Sequence, residues 1–335
     1  MAELKYDSKT GRLLFTKEMK KEYTILMPNM APIHFNILQN VFNYYGYKSE
    51  LLDTCGPEIA QTGLKYVHND TCYPALLVIG QFIHALQSGK YDVHKTALMI
   101  TQTGGGCRAS NYIFLLRKAL KKAGFEFVPV ISLSFGMEKN SGFSLTLPLI
   151  RRFVGGLVYG DQLMLLSNQT KPYEVNKGES MALVADWSDK ISKMLIEGNG
   201  YTLEEIDENL DKITKSFSEI ELNKVPKVKV GIVGEIYVKY SKMANNGLEE
   251  FLASQDCEVC VPGLMGFASF KVDNRIEDAK LYGGAKIKST FCKMLLDYLT
   301  KLEALMIESA KKYNFVPPHE YAHTKQLVKG IIGYG

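Results

Sequence analysis

The sequence lacks a strong charge of either sign and any long apolar run. Its 40 lysine and arginine residues against 36 aspartate and glutamate residues leave a formal charge of +4. Because no stripe of basic and aromatic residues accompanies this small excess, we expect no nucleic-acid partner. No stretch of about 18 uncharged apolar residues occurs, so we also expect no membrane-spanning helix.

Cysteine is sparse as well, with six cysteines in 335 residues. The first residues, Met1 to Asp7, are polar and do not resemble a secretory signal peptide. In a chain of this size without such a signal, free thiols or metal ligands are expected rather than disulfides. These features predict a cytoplasmic protein, and the length allows two or three domains.

Strands and helices are predicted to alternate in the first part of the chain. We expect a polar lead-in over 1–21 and then a Rossmann-like α/β domain over 22–142. The apolar patterns predict strands and helices in turn: strand 23–28, helix 33–45, strand 48–52, helix 73–87, strand 96–101, helix 111–122 and strand 127–133. This alternation is typical of a parallel sheet with right-handed crossovers.

The rest of the chain is predicted to contain a helical layer followed by a second α/β unit. Residues 143–222 are expected to be helical, with amphipathic stretches at 179–197 and 203–220. The second α/β unit is expected over 223–335, ending before the unit is complete. The predicted fold is therefore α/β, with two Rossmann-like parallel-sheet units and an intervening helical layer.

Two cysteines occupy matching places at predicted helix starts. Cys72 precedes the helix over 73–87, and Cys107 follows Gly104, Gly105 and Gly106. A thiol on the first turn of a helix meets unpaired N–H groups and the positive end of the helix dipole, which favour the thiolate that binds metals. The glycines let the backbone approach whatever the sulfur holds. The alternative is that both cysteines are small buried residues of the core.

Other candidate residues carry weaker signals. Cys55 lies in a predicted turn and is a possible additional ligand, and the pair Cys257 and Cys260 lies on a predicted strand. Positions three apart on a strand point to opposite faces, so we expect that this pair does not share a metal. The pattern from Gly231 to Glu235 is half of a nucleotide-binding turn or a tight strand-to-helix connection.

The two cysteine motifs resemble the 2-hydroxyacyl-CoA dehydratase superfamily. The similarity is carried by residues 64–75 and 101–112, with support from 27–35, 157–161 and 230–237. It is greatest to the branch that is fused to, or encoded with, actin-like CoA-dehydratase activases. The resemblance covers nearly the whole chain.

This resemblance implies an oxygen-sensitive iron–sulfur protein of anaerobes. Cys72 and Cys107 match the family's motifs as ligands of a [4Fe–4S] or double-cubane cluster, and Gly104, Gly105, Gly106 and Arg108 lie beside them as candidate cofactor-binding residues. An ATP-dependent activase would donate a low-potential electron for a difficult reduction or a radical dehydration of an acyl-CoA.

The family's relatives continue past the segment matching 330–335 into a stretch that bears more cysteines. Two thiolates are fewer than a cubane needs, so the resemblance implies further ligands from Cys55, from a dimer or from a second cluster-bearing chain. The alternative function is a non-catalytic accessory module that docks the activase or a CoA ester without a cluster.

Overall fold

The chain forms a mixed α/β protein. A computed structural model describes residues 2–102, 107–133, 142–284 and 286–333. The chain divides into two compact units, one of Met1–Ile150 with Tyr237–Leu248 and one of Arg151–Ile236 with Glu249–Gly335. The segment 237–248 falls in the first unit, and its Tyr237, Met243 and Ala244 are buried in the core of that unit.

The first part of the chain alternates strands and helices, as its periodicity predicts. Its elements are β1 Lys5–Tyr6, β2 Leu13–Leu14, α1 Lys17–Glu22, β3 Thr24–Pro28, α2 Pro32–Tyr44, β4 Lys48–Leu52, α3 Pro57–Tyr66, α4 Tyr73–Gln87, β5 Thr96–Thr101, α5 Tyr112–Ala123 and β6 Val130–Leu133. The predicted helix 73–87 and the strands 48–52 and 96–101 are confirmed at both ends. Helix α3, which the apolar pattern did not indicate, starts at Pro57, a favourable first position because proline has no N–H to leave unpaired.

Strands β3 to β6 form one parallel sheet in the order β4-β3-β5-β6. Thr24 of β3 pairs with Lys48 of β4 on one side and with Thr96 of β5 on the other, and Leu98 of β5 pairs with Val130 of β6. The strand order reverses between β3 and β5. In open parallel sheets, ligands bind beyond the carboxyl ends of the strands at such a reversal.

Helix α4 is the central helix of the first unit, because it is apolar almost all round. Twelve of its residues are buried, and the core joins α4 to α3, α5 and the sheet. Helices α3 and α4 approach closely at two glycines. A Cβ atom on Gly80 would lie 2.2 Å from the Ile59 carbonyl oxygen, and one on Gly63 would lie 2.4 Å from the Leu76 carbonyl oxygen.

The first 21 residues differ from the predicted polar lead-in. Strands β1 and β2 pair antiparallel, and α1 follows them. Phe15 and Met19 have no exposed surface, and the N–H of Gly142 donates to the Phe15 carbonyl oxygen at 2.9 Å. The segment is part of the first unit because its few large apolar side chains are buried, although most of its residues are polar.

The second part of the chain is mainly helical. Its elements are α6 Leu147–Thr170, α7 Glu179–Glu197, α8 Leu203–Ser218, β7 Lys229–Gly231, α9 Ile236–Tyr240, α10 Lys242–Asn245, α11 Leu248–Ser254, β8 Glu258–Cys260, α12 Leu264–Leu281, α13 Lys286–Lys312 and α14 Tyr321–Leu327. The predicted helices over 143–222 and the two later strands are present. Strands β7 and β8 pair parallel over three residues each. A second Rossmann-like sheet is not confirmed by the described residues.

The long helices of the second unit are held by buried polar groups. Asp161 of α6 is 2% exposed, and its two carboxylate oxygens accept the backbone N–H groups of Leu264 and Met265, each at 2.7 Å. It therefore caps the start of α12 from a distant part of the chain. Among the described residues, no helix has the length and apolar character needed to cross a membrane.

Candidate functional site at the Cys72 and Cys107 turns

Cys72 is the N-cap residue of α4, as its sequence position predicts. Its backbone is extended, with φ −60° and ψ 147°, and its side chain makes no hydrogen bond to the first turn of the helix. One reason is Pro74, at the second helical position, which has no N–H to donate. The sulfur instead lies 2.8 Å from the phenolic oxygen of Tyr112. The expected contact between the Cys72 thiol and unpaired helix N–H groups is therefore not observed.

Cys107 opens a 3-10 turn over Arg108–Asn111 that leads directly into α5. Its sulfur accepts a hydrogen bond from the N–H of Ala109 at 3.4 Å, and its carbonyl oxygen accepts one from the Ser110 hydroxyl at 2.7 Å. The side chain is exposed. Cys107 thus has the helix-start N–H contact that Cys72 lacks, and its thiol is accessible from solvent.

Gln102 ties the Cys107 turn to the sheet. It directly follows β5 and is 6% exposed. Its amide nitrogen donates to the Ser110 carbonyl oxygen at 2.7 Å, and its amide oxygen accepts from the Ser132 hydroxyl of β6 at 2.9 Å. The turn is therefore positioned at the carboxyl end of β5 by a buried hydrogen-bonded pair. Sequence reasoning did not find this residue, whose only signal is a polar amide directly after a buried strand.

Tyr112 brings the two cysteine motifs together. It is the first residue of α5 and directly follows the turn that Cys107 opens, while its hydroxyl contacts the Cys72 sulfur. Both motifs therefore lie at the same end of α5, beyond the carboxyl end of β5.

A pocket of about 260 Å³ lies between the two motifs. It is lined by the loop before Cys72 and by the start of α5, through His68, Asp70, Thr71, Asn111 and Leu115. In that loop, the His68 ring nitrogen Nδ1 lies 3.3 Å from the Asp70 carboxylate and accepts the Asp70 N–H at 3.2 Å. The pocket is smaller than typical sites for drug-sized ligands. Most of its lining residues are polar, but most of the surface that they present to it is apolar.

Three candidate residues, Gly104, Gly105 and Gly106, lie outside the described residues. The backbone of Arg108 belongs to the 3-10 turn that follows Cys107. The predicted roles of these four residues beside a cofactor stay predictions.

Cys55 is exposed in the turn after β4, where its thiol donates to the Asp53 carbonyl oxygen at 3.4 Å. Strand β4 is separated from β5 by β3. Neighbouring strands are about 4.8 Å apart, so the ends of β4 and β5 are about 10 Å apart. Within the described ranges, no group of three or more His, Cys, Asp or Glu residues is arranged to hold a metal ion. Among the described residues, Cys55 therefore forms no metal-binding group with Cys72 and Cys107, and its role as a further ligand stays a prediction.

Two of the segments that support the resemblance, 157–161 and 230–237, lie in α6 and in the stretch from β7 to α9. Tyr159 is fully buried, and its hydroxyl donates to the Gly200 carbonyl oxygen at 2.8 Å, while Asp161 caps α12. Strand β7 ends at Gly231 and α9 begins at Ile236, so the intervening residues form a short strand-to-helix connection.

Comparison of the chain with protein-family models, with curated proteins and with solved structures gives no match.

Proposed function

We propose that this protein is an iron–sulfur protein of the 2-hydroxyacyl-CoA dehydratase type, in which Cys72 and Cys107 are cluster ligands. The observation that carries the proposal is the 2.8 Å contact between the Cys72 sulfur and Tyr112, the residue that follows the Cys107 turn. Two cysteines that are 35 positions apart are thereby brought to one end of one helix. Thiolates at a shared edge are what an iron–sulfur cluster requires of its ligands.

The two thiols fit part of such a cluster. A [4Fe–4S] cluster is commonly held by four cysteine thiolates. The described residues place no third His, Cys, Asp or Glu with this pair to form a metal-binding group, so the proposal assigns the remaining ligands to a second chain or to a further cysteine-bearing segment. When bound, the cluster would supply one-electron transfer at low potential.

The residues of this chain would orient the cluster and a small ligand group. Tyr112 hydrogen-bonds to the Cys72 sulfur, and hydrogen bonds to cluster sulfurs are one of the means by which proteins adjust reduction potential. The pocket between the motifs, lined in part by His68, Asp70 and Asn111, lies beside the proposed cluster ligands. From the resemblance, we propose an ATP-dependent activase as electron donor, an acyl-CoA as the substrate class and a cytoplasmic location.

Anaerobic reconstitution with iron and sulfide tests the proposal. The protein is either mixed with a cysteine-bearing partner or produced with a cysteine-bearing extension. Bound iron, bound sulfide and charge-transfer absorption are then measured. We expect Cys72→Ser and Cys107→Ser each to abolish iron uptake at a stability cost on the order of 1 kcal/mol, because both residues lie at the ends of elements. Cys292→Ser, on α13, is the matched control and should leave iron uptake unchanged. Full iron uptake by the Cys72→Ser, Cys107→Ser double variant would contradict the proposed ligands.

The second candidate function is a non-catalytic accessory module that docks the activase or a CoA ester. It is favoured by the absence of a third metal ligand beside the cysteine pair in the part of the chain that the structure describes. The same experiment separates the two functions. If no iron is taken up even with the additional cysteines present and oxygen excluded, the accessory module is the better description.

A further inference from the structure

Helix α14 is attached to the second unit without burying any of its own residues. The structure describes all seven residues of this helix, Tyr321–Leu327, and none of them is buried. Its leucine, Leu327, is 63% exposed. A helix shorter than about 12 residues is not stable in water by itself, and most helices in proteins are stabilised by packing an apolar face. Contacts of another kind must therefore hold α14 in place.

A polar network joins α14 to α12 and centres on Lys325. The Lys325 ammonium lies 2.6 Å from the carboxylate of Asp273 and 2.9 Å from that of Glu277. The hydroxyl of Tyr321 donates to the Asp273 carboxylate at 2.7 Å. Tyr321 and Lys325 are four residues apart, so they lie on one face of α14. This face therefore presents a hydroxyl and an ammonium group to the carboxylates of α12.

Helix α13 contributes a third carboxylate, which contacts the start of α14. The backbone N–H of Tyr321 donates to the Glu303 carboxylate at 3.0 Å. Asp273 and Glu303 are 4% and 8% exposed. A buried carboxylate is costly unless a charged or hydrogen-bonding group faces it. Helix α14 therefore supplies partners to carboxylates that would require water if the helix moved away.

The chain before α14 is anchored separately, at Val316. The amide nitrogen of Gln169, on α6, donates to the Val316 carbonyl oxygen at 2.9 Å, and its amide oxygen accepts the Val316 N–H at 2.8 Å. Pro317 and Pro318 follow. Neither proline has an N–H to donate, so this link loses no donor hydrogen bond when the chain after it moves. Helix α14 can therefore separate from α12 and α13 while the chain up to Val316 stays in place.

We propose that α14 is a strap, closed over α12 and α13 by Lys325 and Tyr321, whose opening uncovers the carboxylates of Asp273 and Glu303. Because α14 buries none of its own residues, its opening exchanges polar contacts for water and leaves the apolar core of the second unit intact. The Lys325 side chain is 27% exposed, so salt reaches its ion pairs and favours the open form. The proposal involves no cysteine and is independent of a cluster.

Hydrogen–deuterium exchange of the full-length protein tests this proposal. Peptides from 317–329 report on the strap, and peptides from 299–312 report on the buried half of α13. We expect exchange in the strap to accelerate when salt is raised to about 1 M, where the Debye length is about 3 Å. Lys325→Gln removes both ion pairs and should accelerate exchange in the strap at least about fivefold at low salt, because hydrogen bonds to charged groups make large net contributions. Lys329→Gln is the matched control, since it removes the same charge from an exposed lysine of the same peptide, and it should leave exchange unchanged.

A second variant, Tyr321→Phe, keeps the ring and removes the hydroxyl that contacts Asp273, so it should also accelerate exchange in the strap. Equal exchange in Lys325→Gln and Lys329→Gln, or exchange in the parent protein that does not respond to salt, would refute a strap held by ion pairs. Acceleration that spreads to 299–312 in Lys325→Gln would show that α14 is an integral part of the second unit. Unprotected exchange of α14 in the parent protein at low salt would show that the strap is not closed.

Discussion

The close crossing of α3 and α4 makes a definite prediction about Gly80. A methyl group at this position would lie 2.2 Å from the Ile59 carbonyl oxygen and 2.8 Å from the Gly63 nitrogen. Both neighbours are backbone atoms of α3, so neither can turn aside as a flexible side chain could. Ordinary van der Waals contact begins at 3.4 Å, and α3 must therefore retreat by 3.4 − 2.2 = 1.2 Å or tilt by an equivalent amount.

The magnitude for Gly80→Ala follows from two opposing effects. Alanine is favoured over glycine within a helix by about 1 kcal/mol. Overpacking of a well-packed core typically costs about 1–3 kcal/mol, and separation by this distance also removes much of the dispersion energy along the helix contact. Because the obstructing atoms are backbone, we expect the upper end of that range and a net loss of about 2 kcal/mol.

Gly266→Ala is the matched control, because Gly266 is also within a helix, α12, and a Cβ atom there would meet nothing within 4 Å. It should be stabilising by up to about 1 kcal/mol. Urea denaturation followed by far-UV circular dichroism measures both changes through the transition midpoint. Hydrogen exchange of peptides from α3 and α4 then locates the effect. If Gly80→Ala is as stable as the parent protein, the reasoning about close backbone packing is refuted.

Three further predictions concern single contacts. Tyr112→Phe removes the hydroxyl that lies 2.8 Å from the Cys72 sulfur and should lower the free energy of unfolding, measured in urea, by about 1 kcal/mol. The control Tyr44→Phe, at an exposed ring, should lower it by less than about 0.5 kcal/mol. Equal losses would contradict a specific contact between Tyr112 and Cys72. Asp161→Ala leaves two buried N–H groups at the start of α12 without an acceptor and should cost about 2–4 kcal/mol; a loss below about 1 kcal/mol would show that the cap is not needed. Burial raises the pKa of Glu174, but hydrogen bonds from Ser180 and Gly178 outweigh this and leave the pKa below its ordinary value. The Glu174 carboxylate should therefore stabilise the fold above the unfolded-state pKa, and this stabilisation should be lost as the pH falls through the folded-state pKa. Between about pH 5 and pH 3, Glu174→Gln should lose less stability than the parent protein, as Trp187 fluorescence in urea would show. Identical acid profiles of the two proteins would refute the role of this carboxylate.

The candidate site was partly predictable because its signals are local. Cys72 at a helix start follows from the apolar periodicity of 73–87, and Cys107 beyond a strand end follows from the buried run 96–101. The partners of these cysteines were not predictable. Tyr112 is 40 positions from Cys72, and Gln102 acts through Ser110 and Ser132, so no local pattern identifies either contact.

The sequence by itself determined where most helices and strands of this protein lie. Periodicity reports which side of a segment is apolar, and that property is local to the segment. It also indicated the α/β class, because strands and helices alternate along the first part of the chain.

Tertiary structure decided which segments meet. Only the strand order β4-β3-β5-β6 places Cys55 two strands away from Cys107. Only packing buries Phe15 and Met19 of the polar first segment and sets Asp161 against the start of α12. These outcomes depend on side chains that are far apart in the chain and compete for the same buried space, and a local pattern contains no information about that competition.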